Sequence, residues 1–166
     1  MNAALALAAT FLVAASLSSQ TFVVGPLGQF ASIDAAVAAV PNGALVLVRA
    51  GTYASFTVQG KALTLRADPG VQVPSATVDG TSSTQLVVLD GLQVQGSVAL
   101  NNCAGPVLLR DVSAVAPVAL QSILAQGCSQ IFCDRIHMAA VRFTLCPAVT
   151  IVDSSITAGF GEGVIA

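Results

Sequence analysis

Residues 88–94 read Val-Leu-Asp-Gly-Leu-Gln-Val, and this order of residue types returns three times in the second half of the chain, over 109–114, 132–138 and 151–158. Each unit has an apolar residue, any residue, an Asp and a short turn, followed by an apolar residue, any residue and an apolar residue. The second apolar positions follow one another at steps of 20, 24 and 20 residues, at Leu92, Val112, Ile136 and Ile156. Such a period predicts a chain of stacked structural repeats.

A second set of residues supports the same period. Cys103, Cys128 and Cys146 precede the Asp of their units by 8, 6 and 7 residues, each in a short polar or Pro-containing break. Short strands with no helix between them predict a parallel β-helix, in which each strand pairs with its equivalent one coil later, about 4.8 Å away. Leucine-rich repeats share the period, but they need Leu-rich units with an ordered Asn. Hexapeptide solenoids need a six-residue period that is absent.

One helix is predicted, over residues 32–40. Ser32 is suited to cap its free N–H groups, and Asp34 lies in the first turn, where the helix dipole favours an anion. Residues 41–43, Pro-Asn-Gly, end it. A single apolar stripe follows the helical spacing at Ile33, Val37 and Val40.

From residue 44 onward apolar residues alternate with a period of two. Strands are predicted over 44–49 and 62–66, and turns at Gly51, Gly60, 68–70 and 79–80. No second helix follows. The sequence therefore predicts an all-β fold, a right-handed parallel β-helix of about six coils with a short N-terminal capping α-helix.

The chain divides into three predicted parts. Residues 1–19 are uncharged, too short to span a membrane and typical of a secretory signal peptide cleaved near Gln20, although no Lys or Arg follows Met1. A buried N-terminal helix is the alternative interpretation. Residues 20–43 form an N-terminal strand and the capping helix, and 44–166 form the coils. The last residues resemble the start of another strand without a cap, so we expect a longer protein or self-association through this end.

The composition excludes several classes of protein. The chain is 55% hydrophobic and 8% charged, with a mean hydropathy of +0.83, so it can bury a core and is not disordered. A net charge of -2 and a pI of 4.9 offer no basic face to a nucleic acid. No stretch after the leader is long and apolar enough to span a membrane, so we expect a secreted or cell-surface protein.

Residues 28–37, 40–43 and 46–53 resemble the opening of the pectin lyase-like superfamily of right-handed β-helices, closest to pectin methylesterases and secreted β-helix repeat proteins. The resemblance implies that the helix caps the first coil and that the Gly-Thr-Tyr turn at Tyr53 closes it. The esterase motifs are missing: Ser55 stands where those enzymes usually carry Glu, and their Gln-Asp-Thr and Phe-Ile-Phe-Gly segments are absent. The lyase segment Arg-x-Pro-x-x-Arg is absent too. The resemblance therefore implies the fold of this superfamily, whereas an activity has to be argued from individual site residues.

The repeat places four Asp residues in one predicted column, at Asp90, Asp111, Asp134 and Asp153. Stacked carboxylates could bridge a calcium ion, which takes six to eight oxygen ligands. Alternatively these are turn residues whose carboxylates bond nearby backbone N–H groups.

The string Asp134-Arg135-Ile136-His137 holds the single His of the chain, and with Arg110 and Arg142 it gathers a base, an acid and anion-binding groups that would suit a sugar acid. A solvated loop is the simpler interpretation. The candidate binding residues are therefore Asp111, Asp134, Arg135, His137 and Asp153, and no catalytic or metal-binding residue is assigned.

The four cysteines leave alternatives open. Cys103, Cys128 and Cys146 are predicted to stack inside the coils with Cys133 on a neighbouring strand, either as free thiols or with a disulfide. Zinc is poorly supported, because no Cys-x-x-Cys pair exists. Tyr53 and Phe56 could stack on a sugar ring, but core packing explains them more simply.

Two hypotheses follow for function. The first is an exported, non-catalytic module with a structural or carbohydrate-contacting role. The second is a carbohydrate-active enzyme, esterase-like or lyase-like, whose catalytic coils are divergent or missing.

Overall fold

The computed structural model describes residues 20–115 and 122–157. Within them the chain winds as a parallel β-solenoid of about six coils with a single short helix, which confirms the predicted fold class. The predicted signal peptide and the proposed open C-terminal end lie outside the described residues.

Each coil contributes strands to three parallel sheets, visited in the order sheet 1, sheet 2, sheet 3. Sheet 1 has seven strands: β1 (Thr21–Val24), β2 (Ala44–Val48), β5 (Leu63–Ala67), β8 (Val87–Asp90), β11 (Pro106–Arg110), β14 (Gln130–Asp134) and β17 (Ala148–Val152). Sheet 2 has six short strands: β3 (Gly51–Thr52), β6 (Val71–Val73), β9 (Gln93–Val94), β12 (Ser113–Ala114), β15 (His137–Met138) and β18 (Ser155–Ile156). Sheet 3 has five: β4 (Phe56–Gln59), β7 (Ala76–Asp79), β10 (Ser97–Asn101), β13 (Ser122–Gln126) and β16 (Ala140–Thr144).

The period-two pattern of the sequence sets the inside and the outside of the solenoid. In β2 the first, third and fifth residues are buried and the two between them are half-buried. Because strands pair in register, each buried residue stacks on its equivalent in the next coil, as Val46, Leu65, Leu89 and Leu109 do. The core is therefore one continuous column of Val, Leu, Ile and Cys running along the solenoid.

The helix α1 spans Ile33–Ala39, as predicted, and packs against β1, β2 and β4 at the first coil. Ser32 Oγ accepts from the Ala35 N–H at 3.2 Å, which satisfies one free donor of the first turn. At the other end the Lys61 ammonium donates to the carbonyls of Val37 and Val40, both at 2.7 Å. A cation at this end also complements the helix dipole. The helix thus closes the apolar end of the stack.

Two of the corners between sheets use a residue in the left-handed conformation. Between sheets 1 and 2 these residues are Gly91, Asp111, Arg135 and Asp153, with φ from 47° to 78°. Between sheets 3 and 1 they are Gly60, Gly80, Asn102, Gly127 and Leu145, with φ from 50° to 64°. At both corners the N–H of this residue donates to a carbonyl of the next coil, as Gly91 does to Arg110 and Gly80 to Asn101, each at 3.0 Å. The corners therefore continue the pairing of the strands.

The pairing register confirms most of the repeat and corrects its last unit. Ser113 pairs with Gln93 and with His137, so the apolar residues just before them, Leu92, Val112 and Ile136, share one column and are fully buried. Ile156 instead pairs with Met138, because the last coil is shorter than predicted. Ser154, the residue before Ser155, therefore takes the place predicted for Ile156 in the column of Leu92, Val112 and Ile136.

No helix among the described residues has the length and apolar character needed to cross a membrane.

Candidate functional site

The candidate residues predicted from the sequence lie at or beside the corner between sheets 1 and 2, which we call the charged corner. It comprises four paired residues near the ends of sheet 1 strands, Arg66, Asp90, Arg110 and Asp134, and three of the left-handed corner residues, Asp111, Arg135 and Asp153. Positive and negative charges alternate along this column from coil to coil. Arg110 pairs directly with Asp90 on one side and with Asp134 on the other. Opposite charges facing each other across neighbouring strands stabilise the sheet modestly.

Arg135 is the hub of the charged corner. Its Nε and Nη2 donate to the two carboxylate oxygens of Asp111 at 2.7 and 2.8 Å, and its Nη1 donates to Asp134 at 2.8 Å. Arg110 Nε lies 3.4 Å from the same Asp134 carboxylate. Two neighbouring coils are tied together by these contacts, and each guanidinium nitrogen of Arg135 has a carboxylate partner.

The ion pairs shift the pKa values of their members in the expected directions. The hydrogen bonds from Arg135 hold the pKa of the Asp111 carboxyl below its ordinary value, and Asp111 in turn raises the pKa of Arg135. Both side chains are 46% exposed, so water screens the pair and its contribution to stability is small. The carboxyl of Asp111 therefore stays ionised and paired.

His137 and Asp153 stand apart from these pairs. His137 is exposed in the outward column of sheet 2, between Ser113 and Ser155, and within the described residues its ring makes no hydrogen bond. Asp153 is exposed and has no ion pair within the described part of the chain. Arg142, which the sequence grouped with this cluster, lies in β16 on sheet 3. The structure thus joins Asp111, Asp134 and Arg135 and leaves the other three separate.

The prediction of a single Asp column is wrong. Asp90 and Asp134 end their strands and share a column with Arg110 between them, whereas Asp111 follows its strand by one residue and stacks between Gly91 and Arg135. Asp is tolerated both as the last residue of a strand and as the left-handed corner residue that follows it. The same apolar-x-Asp pattern can therefore place its Asp in either of two neighbouring columns. Among residues 20–115 and 122–157, no three His, Cys, Asp or Glu side chains gather as metal ligands, and the stacked calcium site loses its geometric basis.

The predicted cysteine column is confirmed at the corner between sheets 3 and 1, which we call the thiol corner. Asn101, Gln126 and Thr144 pair in register, and each is followed two residues later by a Cys. Cys103 and Cys128 are fully buried and Cys146 is half-buried. Cys133 is buried separately in β14, where burial raises the pKa of its thiol to about 12. All four are free thiols.

The two aromatic candidates belong to the first coil. Phe56 is only 2% exposed and packs in the core. Tyr53 is half-buried, and its hydroxyl donates to the Arg49 carbonyl at 2.7 Å. Burial, with a smaller effect of Asp68, raises the pKa of this phenol. Packing and turn closure account for both rings.

An open cleft of about 550 Å³ lies beside the loop after β1, between Leu27, Gln29 and Arg49. None of the predicted site residues lines it. Its one cation, Arg49, pairs with Asp68 at 3.3 Å, so the cleft brings no free charge together with a second reactive group.

The outer side of sheet 3 was missed by the sequence analysis. Its first outward column has four hydroxyls, Ser55, Ser75, Ser97 and Ser122, and ends at Ala140. Its third outward column is a row of amides and other polar groups, Gln59, Asp79, Asn101, Gln126 and Thr144. We call these two columns the hydroxyl-amide face. All of its side chains are exposed or half-buried, and the amides of Gln59, Asn101 and Gln126 bond to no described residue. Polar residues recurring every 18 to 25 positions were the available signal.

Comparison of the chain with protein-family models, with curated protein sequences and with solved structures gave no match.

Proposed function

We propose that this chain is an exported, non-catalytic β-solenoid module that contacts polysaccharide through the hydroxyl-amide face. The observation that supports the proposal is the repetition of solvent-accessible hydroxyl and amide groups in neighbouring coils of one sheet. Ser75 Oγ donates to Ser55 Oγ at 2.9 Å, whereas the amides of Gln59, Asn101 and Gln126 bond to no described residue. Amide side chains both donate and accept hydrogen bonds, as sugar hydroxyls do. A linear, polyhydroxylated polymer lying along the solenoid axis would meet similar groups at each coil, about 4.8 Å apart.

The charged corner supports the non-catalytic part of the proposal. General acid-base catalysis needs a group that can reach the reacting atom and exchange a proton with it. Asp111, Asp134 and Arg135 are instead occupied by one another. Their arrangement suits a structural role, in which exposed ion pairs tie neighbouring coils together.

Two features of the sequence support the proposed export and the proposed class of ligand. The uncharged leader over residues 1–19 is typical of an export signal. The resemblance of residues 28–53 to the opening of pectin lyase-like β-helices points to plant-type or microbial polysaccharide as the ligand class. The two columns carry one charged residue, the anion Asp79, and therefore favour a neutral polymer over an acidic one.

Affinity electrophoresis of the purified chain tests the proposal, with soluble xyloglucan, mixed-linkage β-glucan and polygalacturonate in the gel. We expect retardation by at least one neutral polymer. The double variant Asn101→Ala/Gln126→Ala should bind about tenfold or more weakly, because each lost hydrogen bond is worth about 1 kcal/mol.

The matched control is Gln72→Ala/Gln93→Ala, which removes two half-buried amides from the outward column of sheet 2. Its affinity should stay within about twofold of the unchanged chain, well below the loss that two hydrogen bonds would give. Equal loss in both double variants, or no retardation by any polymer, would contradict the proposed face. Release of methanol, reducing ends or unsaturated sugar from these polymers would contradict the non-catalytic role.

A further inference from the structure

The thiol corner brings two fully buried cysteines into direct register. Asn101 pairs with Gln126 across neighbouring strands, and Cys103 and Cys128 each follow two residues later. The pairing continues past them, because the Ser129 N–H donates to the Cys103 carbonyl at 2.8 Å. In-register parallel strands lie about 4.8 Å apart, within the Cα separation of about 4.4 to 6.8 Å that a disulfide needs.

The two thiols also interact with each other. Each Sγ lies near the carbonyl two residues before it, at 3.3 Å for Cys103 and 3.5 Å for Cys128. The interaction between the two neighbouring thiols lowers the pKa of Cys103 and raises that of Cys128.

We propose that Cys103 and Cys128 form a disulfide when the chain folds in an oxidising compartment, stapling two neighbouring coils. The inference rests on the export that the proposed function includes, and it is independent of polysaccharide binding. Secreted proteins keep disulfides because their surroundings do not reduce them. The finished bond would lie in the core, out of reach of soluble reductants.

A small-molecule disulfide such as oxidised glutathione supplies the oxidant. The Cys103 thiolate attacks one glutathione sulfur, which forms a mixed disulfide and releases one glutathione thiolate. The Cys128 thiolate then attacks the Cys103 sulfur, which forms the bond between them and releases the second glutathione. Two thiol protons pass to the solvent or to the released thiolates, and two electrons reduce the glutathione disulfide. Because both thiols are fully buried in the folded chain, the exchange precedes closure of the coils.

The other two cysteines fit the staple less well. Cys133 lies in sheet 1, on a different side of the coil, and its thiol is held protonated by burial. Cys146 stacks beyond Cys128 in the same column, but it is half-buried and follows Leu145, an exposed residue in the left-handed conformation. We therefore assign the bond to the inner pair.

Peptide mapping tests the assignment. The Cys133→Ala variant is refolded in a glutathione redox buffer, alkylated and digested with trypsin, which separates Cys103, Cys128 and Cys146 into the peptides 67–110, 111–135 and 143–166. We expect 67–110 linked to 111–135, with the thiol of 143–166 alkylated. A link between 111–135 and 143–166, or alkylation of all three thiols, would overturn the proposal.

Thermal unfolding gives a second readout of the same bond. The oxidised Cys133→Ala chain should melt roughly 10 °C above the same chain kept reduced with dithiothreitol, because the bond restricts the unfolded state. In Cys103→Ala/Cys133→Ala this difference should vanish. An equal difference in both variants would assign the effect to another pair and overturn the proposal. Neither measurement involves polysaccharide, so the staple and the binding face can fail separately.

Discussion

The charged corner and the thiol corner share one backbone turn and carry different chemistry. In both, a left-handed residue donates its N–H to the next coil, and in most coils the residue after it is buried in the core. At the charged corner Asp111 and Arg135 occupy the left-handed position and pair in solvent. At the thiol corner that position is mostly Gly or Asn, and the chemistry lies inside, on Cys103 and Cys128. The backbone turn is thus the same at both corners, while single residues decide whether the interacting side chains lie in solvent or in the core.

A matched pair of glycine substitutions probes how tightly each corner is packed. A Cβ at Gly91, on the charged corner, would lie 2.6 Å from the Ala67 carbonyl oxygen, whereas at Gly80, on the thiol corner, it would meet nothing within 4 Å. Both residues have positive φ, so both substitutions cost the left-handed strain of about 1 kcal/mol. We expect Gly91→Ala to lower the free energy of unfolding by roughly 3 kcal/mol, because the steric clash adds to that strain.

Urea unfolding of the two glycine variants measures the difference. Gly80→Ala is the control, with an expected loss of about 1 kcal/mol. Equal losses would show that the charged corner relaxes around the new methyl group, and the two corners would then be equally packed.

The ion pairs of the charged corner should make a smaller, pH-dependent contribution. Asp111→Asn removes the bidentate partner of Arg135, and we expect a loss of at most about 1 kcal/mol at pH 7 and low salt. The pKa of Asp111 is lowered by folding, so its contribution is present above the unfolded pKa near 4 and is lost as the pH falls through the folded value. The stability difference between the two chains should therefore shrink below about pH 4.

Asp153→Asn is the control for this change, since it makes the same substitution at an equivalent left-handed position without an ion pair to a described residue. Urea titrations of both variants at pH 7 and pH 3 compare them. A loss in Asp153→Asn as large as in Asp111→Asn would show that the effect comes from the turn and not from Arg135.

The smallest effect is expected at the last thiol corner. Leu145 has a φ of 55° and a 78% exposed side chain, a conformation that Asn adopts more readily than Leu. Leu145→Asn should therefore raise the free energy of unfolding by roughly 0.5 kcal/mol, part of the left-handed strain that Leu carries. Leu27→Asn makes the same change at a fully exposed residue without positive φ and should leave stability unchanged. Thermal melts show whether only the first variant melts higher.

Local signals predicted the parts of the fold that local physics determines. Ser32, Asp34 and the stripe of Ile33, Val37 and Val40 describe a capped amphipathic helix, and α1 spans Ile33–Ala39. The period-two strands after residue 44 predicted which side chains are buried. The Cys column was predicted because Cys103, Cys128 and Cys146 precede the Asp of their units by six to eight residues. In the structure each of them follows the end of its sheet 3 strand by two residues.

The candidate site was predicted only in part. The string around Asp134 and Arg135 was found because its residues are close in sequence, and their pairing with Asp111 follows from stacking. Asp90 and Asp111 were placed in one column, although they differ by one position relative to the strand end. The coils differ in length, and neither charge nor hydrophobicity locates the end of a strand to within one residue. The sequence therefore could not show this offset of one position.

The sequence by itself determined that this chain winds as stacked coils, because periodic burial of Val, Leu, Ile and Cys leaves few other ways to hide them from water. Only the tertiary structure decided which polar residues meet. The register between coils sets which groups lie about 4.8 Å apart, and that register depends on the length of every intervening turn. It joins Arg135 to Asp111, aligns the hydroxyl-amide face and brings Cys103 beside Cys128.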